Sequence, residues 1–350
     1  MSNSSRWTRR NFFAGSTTVA AAGMLGQTAT ATHAQTIPPV TAITGNGEWA
    51  YRVVSNWGAL PKGTTYGGTH GAIATDAAGD IYVATQSSTG VLVYSPDGVL
   101  QRRVLQDYPE VHSMVYQQDS NGERFHVTVQ KGTTEANWLY LTVKPDGTVL
   151  SKITAPPEAG FTAPNAWRLT AAVSAPDGDL WIANGYGDSR LFRFDKAGNY
   201  KAAYAGKGNT EGMFQCSHGL AVDTRYDQPL LLVCDRENRR LVHMDFDGKF
   251  VRTLTMHMRR PCQVSFHGDY AIVSELEGRV TILDKDNAIV AFLGDNPNRA
   301  MWAKYDLDPA SVSPAFFSAA HGCLIDVQSN IYISDWNKTG RISKLERVKL

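Results

Sequence analysis

Four tripeptides constrain this chain most: Pro96-Asp97-Gly98, Pro145-Asp146-Gly147, Lys196-Ala197-Gly198 and Phe246-Asp247-Gly248. Their glycines are 49, 51 and 50 residues apart, which defines a repeating unit of about fifty residues. These turns follow runs of branched and aromatic residues such as Val91-Leu92-Val93-Tyr94, Leu191-Phe192-Arg193-Phe194 and Leu241-Val242-His243-Met244, which read as strands. A second turn and strand lie upstream, in Gly79-Asp80-Ile81-Tyr82-Val83, Gly178-Asp179-Leu180-Trp181-Ile182 and Ser329-Asn330-Ile331-Tyr332-Ile333. Further upstream is a strand of small residues, as in His70-Gly71-Ala72-Ile73-Ala74, His218-Gly219-Leu220-Ala221-Val222 and His321-Gly322-Cys323-Leu324-Ile325. Three or four antiparallel strands per unit make a propeller blade.

First strands beginning at His70, His112, Leu169, His218, Cys262 and His321 give six blades. The expected fold is all-β: one six-bladed β-propeller over residues 47–350. A propeller must close its ring, so the last blade takes its missing strand from the N-terminal run Trp49-Ala50-Tyr51-Arg52-Val53-Val54. The 31 glycines, many in Asp-Gly and Gly-Asn turns, argue against a helical bundle. The formal net charge of +1 gives no global reason to expect nucleic acid or an anionic membrane as partner, and a small-molecule substrate is expected.

The first 34 residues read as a twin-arginine signal peptide: Thr8-Arg9-Arg10-Asn11-Phe12-Phe13, a weakly apolar stretch from Ala14 to Leu25, and small residues before a cleavage point after Ala34. Residues 35–46 are then a leader, and the mature protein is expected in the periplasm or secreted, exported already folded. Cys216, Cys234, Cys262 and Cys323 show no close CxxC spacing, and buried free thiols are expected.

Histidine opens the innermost strand in four blades, at His70, His112, His218 and His321. His112, His218 and His321 fall on alternate blades, so approximate threefold rotation brings their imidazoles together near the axis. That is a metal site suited to Zn²⁺ or another first-row divalent ion with an open position. His70 and Cys262 stand at the same level and could supply a further ligand or a hydrogen bond to a ligand. His126, His243, His257 and His267 read as solvated or packing residues. Loops after the second strands, Ala183 to Arg190, Cys234 to Arg240 and Ser334 to Lys338, lie over the same channel mouth. Tyr186 could act there as a general base if a cation lowers its pKa, with Arg236 as that cation or as a carboxylate anchor.

The stretch from Trp181 to Arg240 resembles the lyase domain of peptidylglycine α-amidating enzymes, the peptidyl-α-hydroxyglycine α-amidating lyases, a family of six-bladed NHL-repeat propellers. The residues that carry the resemblance are Gly185-Tyr186 with Ser189-Arg190, the long loop ending in Phe214 and His218, and Asp235-Arg236-Glu237-Asn238. Val111-His112-Ser113 and Ala320-His321-Gly322 match the family's other two histidine positions. The resemblance implies a zinc ion on His112, His218 and His321, Tyr186 as the base, and Arg236 as carboxylate holder or activator of the tyrosine. The implied reaction is lyase cleavage beside a metal-bound hydroxyl, which in the family yields a peptide amide and glyoxylate.

Three positions depart from the family. Its first-blade arginine is absent, the chain reading Ala84-Thr85-Gln86, so Gln86 and Trp336 become candidate substrate contacts. Gly322 stands where the family has an aspartate linked to structural calcium, which puts a structural Ca²⁺ in doubt, and Gly187 replaces a disulfide cysteine. Metal-dependent β-elimination from a sugar acid or oxidised sugar would use the same groups. A non-catalytic propeller binding protein or glycan is the alternative of another class. A lactonase-type site would favour Glu, Asn and Asp as calcium ligands at these strand starts, where the chain has His.

Overall fold

The turn that repeats in sequence is one local conformation. Gly98, Gly147, Gly198 and Gly248 have φ of +85°, +91°, +89° and +81°, a region that favours a residue without a Cβ. Each closes a hairpin between the third and fourth strands of a blade. In the fifth blade the same turn, with its N–H to Asp284 O, uses Asn287 at φ +62°, which is why the glycine series stops at Gly248.

The computed structural model describes residues 42–54, 56–61, 63–130, 138–163 and 166–348. The expected signal peptide and residues 35–41 of the leader lie outside the described residues. The strands form six antiparallel sheets, and the first blade shows the pattern: Ile73–Thr75, Ile81–Ala84, Val91–Tyr94 and Leu100–Val104, paired in that order. The other innermost strands are Val111–Asp119, Ala171–Ser174, Ser217–Asp223, Pro261–His267 and Ala320–Ile325. Each lies beside the next, and the last returns to lie beside Ile73–Thr75, which closes the ring. The sixth sheet has five strands. Tyr51–Val54 pairs antiparallel with Arg341–Arg347, Tyr51 opposite Arg347 and Val53 opposite Leu345, as closure from the N-terminus requires. Ile43–Thr44, within the segment expected to be an unstructured leader, adds an outer strand by pairing with Tyr51–Val54.

The core is divided among the faces between neighbouring blades. Tyr82, Phe125 and Leu141 pack between the first and second, Trp181, Phe214 and Val242 between the third and fourth, and Tyr51, Ile282 and Phe317 between the fifth and sixth. Burial on both faces explains why middle strands such as Ile81–Ala84 and Leu180–Ala183 are wholly buried rather than alternating. All four cysteines are buried free thiols. No helix among the described residues is long and apolar enough to cross a membrane.

Candidate metal centre

Four innermost strands carry one extra residue at the same end. His112 sits between the pairs Val111↔Val129 and Ser113↔Thr128, and His218 between Ser217↔Asp235 and Gly219↔Cys234. Cys262 sits between Pro261↔Glu275 and Gln263↔Ser274, and His321 between Ala320↔Asp335 and Gly322↔Ser334. A β-bulge re-aims the extra side chain, and here it gathers these residues in one cluster. The glycine after the histidine permits the approach of the next blade. A Cβ on Gly219 would lie 2.4 Å from Cys262 O, and one on Gly322 would lie 2.6 Å from Ser334 Oγ and 2.9 Å from Gly71 O.

His70 joins the cluster, so four imidazoles meet rather than three. Ring centroids are 4.7 Å apart for His70 and His112, 5.1 Å for His112 and His218, 4.8 Å for His218 and His321, and 5.3 Å for His321 and His70. His112 and His321 are 5.6 Å apart across the cluster. Two groupings bring their ligand atoms within 4.8 Å of one another: His70, His112 and His321, and His218, Cys262 and His321. The threefold set expected from sequence is not itself one of these groupings, which share His321, and a phenol stands between its His112 and His218. Tyr186 Oη is 3.2 Å from His112 Nε2 and 3.0 Å from His218 Nε2.

Backbone carbonyls fix the tautomers of those two rings. His112 Nδ1 donates to Thr170 O at 2.7 Å and His218 Nδ1 to Cys262 O at 3.0 Å, so both Nε2 atoms carry lone pairs. Tyr186 has one hydrogen for two such acceptors. Among the described residues His321 makes no side-chain hydrogen bond, and its Nδ1 is buried without a partner. Burial holds all four imidazoles below the usual range, His112 down to about 3, so they are neutral at pH 7. Neutral imidazoles with unused lone pairs in a buried pocket fit a borderline first-row cation, and the absence of any carboxylate from both groupings does not fit Ca²⁺. His70 differs, because the amides of Gln86 and Gln130 converge on its Nε2 at 2.5 and 3.3 Å and its Nδ1 is buried and unpaired. Burial, opposed by Arg236, pushes the Cys262 thiol up to about 12, so it is a neutral neighbour of the cluster.

A second ring of side chains stands over the first. Backbone N–H groups of Gln130, Tyr186, Arg236, Leu276 and Trp336 each bond to the carbonyl two residues before the inner-ring position of their blade, at Glu110, Arg168, Cys216, Arg260 and Ala319. Gln86 is tied likewise to Tyr66 O. Buried acids hold these loops in three blades. Asp235 accepts from Gln215 N and pairs with Arg240, Glu275 accepts from Arg259 N and pairs with Arg279, and Asp335 accepts from Ser318 N and Ala319 N and pairs with Arg341. In the third blade Asn184 takes this place, and its Oδ1 accepts from Arg168 N.

Tyr186 and Arg236 meet as expected. Arg236 Nη1 donates to Tyr186 Oη at 3.1 Å, with the guanidinium carbon 5.1 Å from the ring centroid, and its Nε donates to Glu237 at 2.9 Å. The expected lowering of the tyrosine pKa is not what the protein alone produces. Burial pushes the phenol up to about 12, outweighing the opposite effect of Arg236. Gln86 and Trp336 lie on the other side, Trp336 with its ring 6.1 Å from His70 and 6.4 Å from His321. Sequence reading missed Thr170, which receives the His112 hydrogen bond, and Trp138 and Arg168, which pack on Tyr186. The signal was the blade-three register, since Thr170 is the position equivalent to the histidines and Leu169 lies one residue before it. His126 and His243 are buried and hydrogen-bonded to Tyr140, Gln117 and Asp223, which makes them packing residues rather than solvated ones.

No protein-family model and no curated protein sequence matches the chain. Solved structures match in fold. A streptogramin B lyase aligns at 12% identity and TM-score 0.54, covering 86% of this chain and 99% of the other. A candidate gluconolactonase aligns at 14% and 0.54, covering 82% and 90%. A catalytically inactive histidine-to-alanine variant of virginiamycin B lyase from Staphylococcus aureus, solved with quinupristin, aligns at 14% and 0.51, covering 83% and 98%. Similarity at this identity establishes the propeller fold that this chain shares with them.

Proposed function

We propose that the protein is an exported, metal-dependent lyase whose reaction centre is the axial histidine cluster. The observation that carries this reading is the Tyr186 phenol placed between two imidazole Nε2 atoms, with a guanidinium on its oxygen. His112, His218 and His321 would hold a zinc or other first-row divalent ion, which when bound supplies Lewis-acid polarisation of a substrate oxygen. Tyr186 would accept the substrate proton once a bound metal, together with Arg236, lowers its raised pKa, and Arg236 would stabilise that phenolate and offer its outer edge to a substrate carboxylate. In an amidating-lyase reaction the hydroxyl proton passes to Tyr186 Oη and the adjacent C–N bond breaks. Its electrons leave on nitrogen, which regains a proton, while the carbinol carbon becomes a carbonyl. Fold neighbours named as lyases, one of them inactive once a histidine is replaced by alanine, support a histidine-centred elimination.

One observation favours a second substrate class for the same groups. Amides, not an arginine, occupy the first- and second-blade positions of the upper ring. In β-elimination from a sugar acid the proton leaves the carbon beside the carboxylate, the C–O bond at the next carbon breaks, a C=C bond forms and the departing alcohol takes up a proton. The test joins metal analysis of the purified protein to turnover of α-hydroxyhippurate, read as glyoxylate. Tyr186→Phe is expected to keep its metal and lose roughly 10²-fold or more in turnover. Full activity in that variant removes the tyrosine from the mechanism, and ligand binding by a protein that never takes up metal favours the non-catalytic alternative.

A further inference from the structure

The lyase chemistry uses only one side of the channel mouth. Tyr186 and Arg236 stand over His112 and His218, whereas Gln86, Gln130 and Trp336 stand beside His70 and His321. Trp336 is half-buried and packs against Tyr305 with centroids 4.9 Å apart and planes tilted by 44°. Tyr305 is 37% exposed. Gly68 lets this aromatic pair and the Gln86 amide come together, since a Cβ there would lie 2.0 Å from Gln86 Oε1 and 3.1 Å from Tyr305 Cε2. The second side is therefore an aromatic face next to two side-chain amides, with no charge on any of the four.

We propose that this side is a subsite for a neutral, hydroxyl-bearing pyranose ring, so that the substrate is a sugar acid with its carboxylate on Arg236 and its ring on Trp336. The inference rests on the lyase reading and names the substrate class of that site. A pyranose offers an apolar C–H face and a rim of hydroxyls, each both donor and acceptor. An indole covers the face, and the hydroxyls of the rim take donors and acceptors alike. A glutamine amide supplies both from one uncharged group, whereas a guanidinium only donates and a carboxylate only accepts. Both amide nitrogens are anchored on His70 Nε2, which leaves each glutamine its oxygen and its other N–H for a ligand. A glycine-type acid has neither ring nor hydroxyl rim to place here.

The test reads binding, not turnover. Isothermal titration of D-glucuronate and of hippurate is run on the full protein and on Trp336→Ala and Gln86→Leu, with metal content and thermal unfolding measured on each sample. D-glucuronate is expected to bind more tightly than hippurate. Each variant is expected to weaken it by about tenfold, the size of one lost aromatic or hydrogen-bonded contact, and to weaken hippurate less, in samples that remain folded and keep their metal. Undetectable D-glucuronate binding, unchanged binding in both variants, or tighter binding of hippurate overturns the subsite. A protein that takes up no metal yet binds D-glucuronate through Trp336 would defeat the lyase reading and keep the subsite. One that cleaves α-hydroxyhippurate and ignores D-glucuronate would do the reverse.

Discussion

Gly219 is fixed by its neighbour, not by its own backbone. Its φ is ordinary, yet a Cβ would press to 2.4 Å from the Cys262 carbonyl that orients His218. Gly219→Ala must therefore displace a neighbouring blade, and a loss of roughly 1–3 kcal/mol is expected in urea unfolding. His321 is the opposite case, a buried ring with no hydrogen bond to lose. His321→Ala should fold well while metal content drops, and retention of full metal by His112→Ala, His218→Ala and His321→Ala alike would overturn the ligand assignment. The fully buried Asp223 gives a pH signature. Burial favours its neutral form, but hydrogen bonds from His243 and Arg225 and the charge of Arg225 outweigh this and hold the carboxyl well below the usual range. With the folded pKa depressed, the stabilisation is fully present above the unfolded value of about 3.9 and fades as pH falls below it. Urea unfolding at pH 6 and pH 3 should show this loss in the parent and a smaller one in Asp223→Asn.

Two devices repeat at the level of the strand and its loops. A bulge at the start of the innermost strand turns one residue toward the cluster in four blades, and a buried acid paired with an arginine holds the loop above in three. Asp335 shows what the second device carries. Its Oδ1 takes two backbone N–H groups and its Oδ2 takes Arg341, on the segment that leads directly to Trp336. Asp335→Ala leaves two backbone amides without their acceptor and the partly buried Arg341 without its carboxylate, holding only the carbonyls of Val312 and Phe316, and a loss of about 3–5 kcal/mol is expected in thermal or urea unfolding. The position of the bulge was legible only in part. His-Gly at the strand start marks it at His218 and His321, and the repeat spacing puts Cys262 at their level, but in the third blade it points to Leu169, one residue before Thr170, because nothing in the local sequence there announces the position.

Closure ties the two ends of the chain into one sheet. Tyr51 is fully buried and paired with Arg347, and it packs with Ile282 and Phe317 from blades remote in sequence. Tyr51→Ala should cost about 3–5 kcal/mol by core truncation and lower the melting temperature of the whole propeller. The export expectation also belongs to this scale: replacement of Arg9 and Arg10 by lysine should leave the precursor in the cytoplasm, as read by fractionation.

Repetition is a property of sequence. Turn glycines about fifty residues apart, strands of branched and aromatic residues, and histidine at the strand starts were enough to give six blades, closure by Tyr51–Val54 and a histidine-centred channel, because each reflects a local conformational or hydrophobic requirement. The composition of the site came from the tertiary structure. That His70 joins the cluster under two amides, that a phenol stands between His112 and His218, and that burial raises the tyrosine pKa despite Arg236 depend on distances between blades and on exclusion of water. No periodicity along one chain encodes these quantities, since they arise only when six blades close around an axis.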